Sequence, residues 1–149
     1  MRPEQLVLRR ADTTDREVVR LLLAELGYQL AAGDPFDRVY VEALGDERRT
    51  LLLAELAGRP VGFACFSRVA SLHLGGDLLV LDELVVGAAA RGSGVGSALV
   101  QALVHEAERI GARRIELTTN KQRESYRRGF YSKRGFHEAG SAVLRIERG

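Results

Sequence analysis

The chain has one cysteine, Cys65, among 149 residues. No disulfide can close within it and no cysteine cluster is available for zinc, a usage that suits a reducing compartment. Histidine is scarce too. His73, His105 and His137 lie far apart and none forms an HxxxH pair, so the sequence offers no metal site. Long apolar runs are missing: nothing approaches the ~18 consecutive apolar residues of a membrane helix. The opening MRPEQLVLRR lacks the apolar core of a secretion signal. Neither sign of charge dominates, with 22 Lys and Arg against 20 Asp and Glu for a net charge of +2. Nucleic-acid binders concentrate positive charge more heavily. The expectation from these absences is a cytoplasmic protein with no metal, no membrane segment and no nucleic-acid partner.

What is present suits a single domain over residues 1–149. A chain of this length buries roughly 70% of its unfolded surface. QLVLRRA (5–11) reads as a first strand, and Thr13 or Thr14 then caps a helix carrying Val18, Leu22, Leu23 and Leu26 that ends at Gly27. Asp34-Pro35 opens a second helix through about Leu44. TLLLAELAG (50–58) and VGFACFSRVA (61–70) read as strands joined by a turn at Gly58-Arg59-Pro60, and LLVLDELVV (78–86) is the next strand. Gly96 to Ile110 has the spacing of an amphipathic helix closed by Gly111, and RRIELTT (113–119) follows as a strand. Residues 123–134 read as helical, interrupted or ended near Gly129 and Gly135, and FHEAGSAVLRIE (136–147) as two short strands around Gly140. The order β-α-α-β-β-β-α-β-α-β-β predicts a layered α/β fold with a mixed sheet. Cys65, between Phe63, Ala64 and Phe66, reads as a small buried hydrophobe.

The stretch Arg91-Gly92-Ser93-Gly94-Val95-Gly96 stands between a strand and a long helix. The first amides of a helix have no partner inside it and carry partial positive charge, which makes an anion site. Glycines remove the side chains that would keep a phosphate away and permit positive φ. Ser93 and Ser97 add hydroxyls and Arg91 a fixed charge, so the loop is a candidate for a pyrophosphate; a plain tight turn is the alternative. A Walker loop is excluded because no lysine follows the glycines, and the spacing does not fit a dinucleotide-binding GxGxxG.

RGSGVG (91–96) resembles the R/Q-x-x-G-x-G/A motif of the Gcn5-related N-acetyltransferases (the GNAT family). Asn120 and then FYSKRGF (130–136) resemble that family's second signature, and LAELGYQL (23–30) resembles its bacterial members. The element order matches over essentially the whole chain. The resemblance implies a mixed, mostly antiparallel central sheet of about seven strands, with a splayed fourth and fifth pair and about four flanking helices. It also implies an enzyme that moves the acetyl group of acetyl-CoA to a primary amine by direct attack. The pyrophosphate of acetyl-CoA is then expected on Arg91, Gly92, Ser93, Gly94, Val95, Gly96 and Ser97, and its pantetheine arm along Leu84, Val85 and Val86. Asn120 matches the asparagine that contacts that arm, and Tyr131 the tyrosine near the sulfur.

On this reading Tyr131 is the general acid that protonates the leaving thiolate, a phenol being protonated at neutral pH; a packed helix tyrosine is the alternative. Glu83 is the candidate base for the amine, directly or through water, against the alternative of a solvated or ion-paired strand residue. Asp82 and Glu83 alternate, so only one is expected to face the cleft. Lys121, Arg123, Arg127 and Arg128 are candidates for the 3′-phosphate or a solvated basic face. The family frames the acceptor pocket with its first two helices and last hairpin, here Tyr28 to Tyr40 and Glu138 to Val143. Asp34, Asp37 and Glu42 are charges suited to a cationic amine. The acceptor itself, small molecule or peptide, stays open, as does homodimerisation. A non-catalytic acyl-CoA-binding module of the same fold is the competing function.

Overall fold

The computed structural model describes residues 5–30, 33 and 35–148. Its elements are β1 (Leu6–Arg10), α1 (Arg16–Ala24), α2 (Phe36–Leu44), β2 (Arg49–Leu56), β3 (Arg59–Ser71), β4 (Gly76–Val86), α3 (Val95–Ile110), β5 (Arg114–Leu117) and α4 (Glu124–Arg127). The chain divides into two compact units, Met1–Leu117 and Thr118–Gly149.

The first unit is one five-stranded sheet in the order β1-β2-β3-β4-β5. Neighbours are antiparallel except β4 and β5, which run parallel with α3 as their crossover. The β2–β3 connection is tighter than the sequence suggests. Ala57 (φ 51°) and Gly58 (φ 77°) form a two-residue turn with both residues left-handed, the geometry that matches strand twist. Arg59 and Pro60 therefore belong to β3. The ladder shifts register between Ala54 and Glu55, opposite Pro60, which has no N–H to donate.

One face of the sheet is covered by α1 and α2. Leu51, Leu53, Phe63, Cys65 and Val85 from the strands pack against Val19, Leu22, Leu23, Tyr40 and Ala43. On α3, Val95, Leu99 and Leu103 are fully buried. Gly62 makes the close approach of α3 possible: a Cβ there would stand 2.8 Å from Val95 Cγ1. The first helical segment is capped by Asp12 rather than by Thr13 or Thr14. Asp12 accepts the Thr14 amide at 2.8 Å and Asp15 accepts the Asp12 amide at 2.8 Å, a reciprocal capping box over a 3-10 turn that runs into α1. Asp34 lies outside the described residues; Pro35 holds the N-cap position of α2.

Asp15 is the buried charge of this unit. The Arg9 guanidinium grips it with two bonds, at 2.7 and 2.8 Å, and also reaches Glu55 at 2.8 Å. Arg9's hydrogen bonds hold the Asp15 carboxyl below the usual aspartate range against the opposing cost of burial. Asp15→Asn should lower stability by about 2 kcal/mol, less than a fully buried pair because the Arg9 side chain keeps 35% exposure. A carboxyl with a depressed folded pKa stabilises above its unfolded value and loses that contribution as pH falls through the folded one. The deficit, read from urea midpoints, should be full at neutral pH and disappear in strong acid.

The second unit is short and mostly irregular. Helix α4 ends where Gly129 turns left-handed at φ 71°, a 3-10 turn spans Ser132–Arg134, and Gly135 (φ 94°) closes it. The interruption expected near the two glycines is present. The pair of strands expected over 136–147 is not: this run carries no ladder, so among the described residues the sheet has five strands rather than about seven. Apolar alternation becomes a strand only where a neighbour supplies hydrogen bonds and cover. Here Leu144 and Ile146 are 93% and 90% exposed.

Candidate functional site

Strand β4 and the loop after it organise the first half of the site. β4 pairs with β3 through Val86, opposite Gly62, but its pairing with β5 stops at Leu81 opposite Leu117. Beyond that point, among the described residues of this unit, no strand lies on the β5 side of Leu84, Val85 and Val86. The chain then makes a 3-10 turn at Ala88–Ala90 and enters the glycine loop.

Gly92 (φ 81°) and Gly94 (φ 86°) are both left-handed, and Gly94 is the N-cap of α3, with no side chain capping the helix. The first intrahelical bond is from the Ala98 amide to Gly94 O at 3.1 Å. The amides of Val95 and Gly96 precede it and face out of the helix end. A Cβ built on Gly92 or Gly94 would meet nothing within 4 Å, so the space over these amides is open. Ser93 is folded back, its hydroxyl and amide both donating to Ala90 O. Arg91 reaches back to Val86 O at 3.5 Å from an exposed position. The helix begins at Val95, one residue before the expected Gly96. An uncapped helix end with glycines in front is chemically fit for the diphosphate of acetyl-CoA.

The second half is a cavity of about 510 Å³ between the sheet and helices α1 and α2. Tyr28, Leu30, Phe36 and Tyr40 form its apolar wall, while Arg49, Cys65 and Glu83 bring polar atoms into it. Register explains the meeting. Leu51 of β2 pairs with Cys65 of β3, which pairs with Glu83 of β4, and Arg49 lies two residues before Leu51 on the same face. The ladder slips between Cys65 and Phe66. That bulge brings Asp82 as well as Glu83 toward Cys65: Asp82 Oδ2 lies 3.9 Å from Cys65 Sγ and accepts a bond from the Ser67 hydroxyl. Only Glu83 of the two lines the cavity. Burial pushes the Cys65 thiol up to about 11 and the Tyr40 phenol up to about 12, so both are neutral near pH 7. The Tyr40 hydroxyl donates to Asp12 O at 2.6 Å.

The sequence reasoning passed over Arg49. The signal was available: Arg49, Leu51 and Leu53 share one face at a spacing of two, so a cation at the first position points where leucines point.

Asn120 and Tyr131 belong to the second unit. Asn120 Oδ1 accepts the Gln122 amide at 2.8 Å and shapes the turn before α4. Tyr131 packs edge-on against Phe130 (4.9 Å between ring centroids) and Phe136 (5.9 Å). Burial raises its phenol above the ordinary value, and the charges of Arg123 and Arg134 pull the other way. Of the basic residues nearby, Lys121 lies 3.8 Å from Glu138 and Arg127 bonds Gln122 at 2.9 Å, while Arg128 stands over the Phe130 ring.

A glycine-fronted helix after a strand with an unpaired far edge, beside a largely apolar cavity, is an arrangement compatible with an acyl-CoA-dependent transferase. Residues 17–136 match the acetyltransferase (GNAT) family, and the chain belongs to that family. It is an acetyltransferase, and the donor of its family is acetyl-CoA. It is 32% identical to an aminoalkylphosphonate N-acetyltransferase of Salmonella typhimurium, over 89% of this chain and 85% of that one. It is 33% identical to an uncharacterized N-acetyltransferase of Mycobacterium tuberculosis, over 72% of this chain and 65% of that protein. The fold is similar to the crystal structure of a transcriptional regulator from Bacillus halodurans C-125, with a TM-score of 0.86 and 26% identity, covering 97% of this chain and all of that one. Among the described residues no helix is long and apolar enough to cross a membrane.

Proposed function

We propose that the protein acetylates a small primary amine that enters the α1–α2 cavity. The observation that supports this most directly is the cavity itself, which carries Glu83 near the end of β4, the strand that leads through the glycine loop into the uncapped start of α3. Bound acetyl-CoA supplies an acetyl group activated as a thioester. The loop from Arg91 to Ser97 holds its diphosphate, chiefly through the amides of Val95 and Gly96 at the helix start, with Gly92 and Gly94 keeping the approach clear. The open edge of Leu84, Val85 and Val86 takes its pantetheine arm as an added strand would be taken, and Asn120 binds the same arm. Glu83 accepts the proton of the acceptor ammonium, directly or through one water, and Tyr131 donates a proton to the departing sulfur. No residue of the chain serves as a nucleophile.

A panel of small amines with acetyl-CoA, read by thiol release and by the mass of the acetylated product, tests the reading. An enzyme that binds acetyl-CoA yet acetylates none of them refutes it. Glu83→Gln should lower kcat/KM by about 100-fold near neutral pH. The loss should shrink as pH nears the amine's own pKa of about 10, where the acceptor is already neutral. A deficit that is the same at every pH would remove Glu83 from the role of base.

A further inference from the structure

The α1–α2 cavity is lined by a half-buried cation, Arg49, with no carboxylate in direct contact among the described residues. Arg49 Nε is buried with no hydrogen-bond partner. One Nη contacts Cys65 Sγ at 3.6 Å, and no carboxylate among the described residues lies within ion-pair distance of this guanidinium. The thiol is no counter-ion, because burial keeps it protonated well above neutral pH. Asp82, whose carboxylate lies 3.9 Å from that sulfur, already accepts from Ser67. A guanidinium whose Nε is shut off from water without a partner is costly unless an anion arrives to meet it. Its planar fork matches an oxyanion with two parallel bonds.

The same cavity holds Glu83, two strands away from Arg49 across β3. Adjacent strands lie about 4.8 Å apart, so the two backbones stand about 10 Å apart. Their side chains point into one pocket from the same face, and the opposite wall includes Leu30, Phe36, Val39 and Tyr40, with Tyr28 and Gln29 beside them. The floor is thus bipolar, with a cation on β2 and a carboxylate on β4, under a mostly apolar roof.

We infer that the acceptor is a zwitterion: a primary amine carrying a carboxylate or phosphonate a few bonds from the nitrogen, its oxyanion held by Arg49 and its nitrogen presented at Glu83. This rests on the proposed acetyl transfer for its chemistry, but the anion site stands on Arg49 alone. Arg49 is a specificity residue that orients the acceptor, and it takes no part in proton transfer.

The test uses matched pairs that differ only in the anion, such as phenylalanine with phenethylamine and 2-aminoethylphosphonate with ethylamine. For the wild type, kcat/KM of the anionic member should exceed that of its partner by about 10- to 100-fold, the range of charge-assisted hydrogen bonds. In Arg49→Met the ratio should fall to near one, and in Arg49→Lys it should be partly restored. Comparison of the amino acid with the phosphonate identifies which oxyanion the site prefers. Equal rates within each pair for the wild type, or a ratio that survives Arg49→Met, overturns the inference. Calorimetry of the same compounds in the absence of acetyl-CoA separates the two readings. Anion-dependent binding that Arg49→Met abolishes, in a protein that acetylates nothing, would keep the anion site and reject the transfer. Transfer to amines with no preference for the anion would do the reverse. Circular dichroism of both variants guards against misfolding, and Arg49→Lys supplies the ratio if Arg49→Met does not fold.

Discussion

Gly94→Val should weaken acetyl-CoA binding by about 100-fold or more, the loss of two charge-assisted amide bonds to a diphosphate. The position separates binding from folding. A Cβ on Gly94 would meet no protein atom within 4 Å, so the substitution creates no clash in the core. What it does is place a branched side chain in the open space over the first amides of α3. It also forces a valine to φ 86°, a left-handed conformation that costs an L residue roughly 1–2 kcal/mol. That strain needs its own control. Gly111 is left-handed at the other end of the same helix, at φ 67°, and likewise has open space where a Cβ would go. Gly111→Ala should carry a comparable stability cost and leave the affinity for acetyl-CoA intact. If calorimetry found Gly94→Val binding the donor as tightly as the wild type, the diphosphate would not lie on these amides.

The contrast between those two glycines shows why much of this architecture is legible before folding. A glycine between an apolar run and a helical pattern has few physical reasons to be there, and left-handed backbone is the commonest. Gly27, Gly94, Gly111, Gly129 and Gly135 all adopt it, at or just beyond helix ends. The strands β1 to β4 are equally plain, because their inward residues recur at a period of two. Legibility fails where the outcome depends on a partner distant in sequence. Asp12 wins the cap over Thr13 because Asp15 reciprocates and Arg9 of β1 holds Asp15 in place. The Pro60 turn tightens because two left-handed residues suit the twist of strands that the sequence does not yet show as paired. Residues 136–147 alternate as a strand would, yet nothing pairs with them.

The candidate site divides along the same line. The proposed phosphate loop is local, seven consecutive residues, and its glycines could be read from spacing. The α1–α2 cavity, the proposed acceptor site, is assembled from α1, α2, β2, β3 and β4, and its composition follows from register. Arg49 reaches the same floor as Glu83 only because β3 aligns Leu51 with Cys65 and Cys65 with Glu83. The bulge that draws Asp82 toward the same cysteine leaves no mark in the local pattern.

Tyr131→Phe should reduce kcat by about 100-fold, the usual worth of a positioned acid, with little change in KM for acetyl-CoA. The substitution keeps the ring, so the edge-on contacts with Phe130 and Phe136 survive and the melting temperature should barely move. The pH profile then tells an acid from a packing residue. A general acid works only while protonated. Burial lifts the Tyr131 phenol above its ordinary value, and Arg123 and Arg134 only partly oppose that. The wild type should therefore hold its rate up to the tyrosine's ordinary pKa of about 10 and decline only beyond it. The phenylalanine variant should lack that alkaline decline altogether. Tyr126 provides the comparison, since its hydroxyl is engaged with Glu138. Tyr126→Phe should leave both the rate and the alkaline limb as they were. A Tyr131→Phe enzyme with full turnover, or one whose alkaline limb persists, would place the departing sulfur's proton elsewhere, on solvent or on the acceptor's own nitrogen.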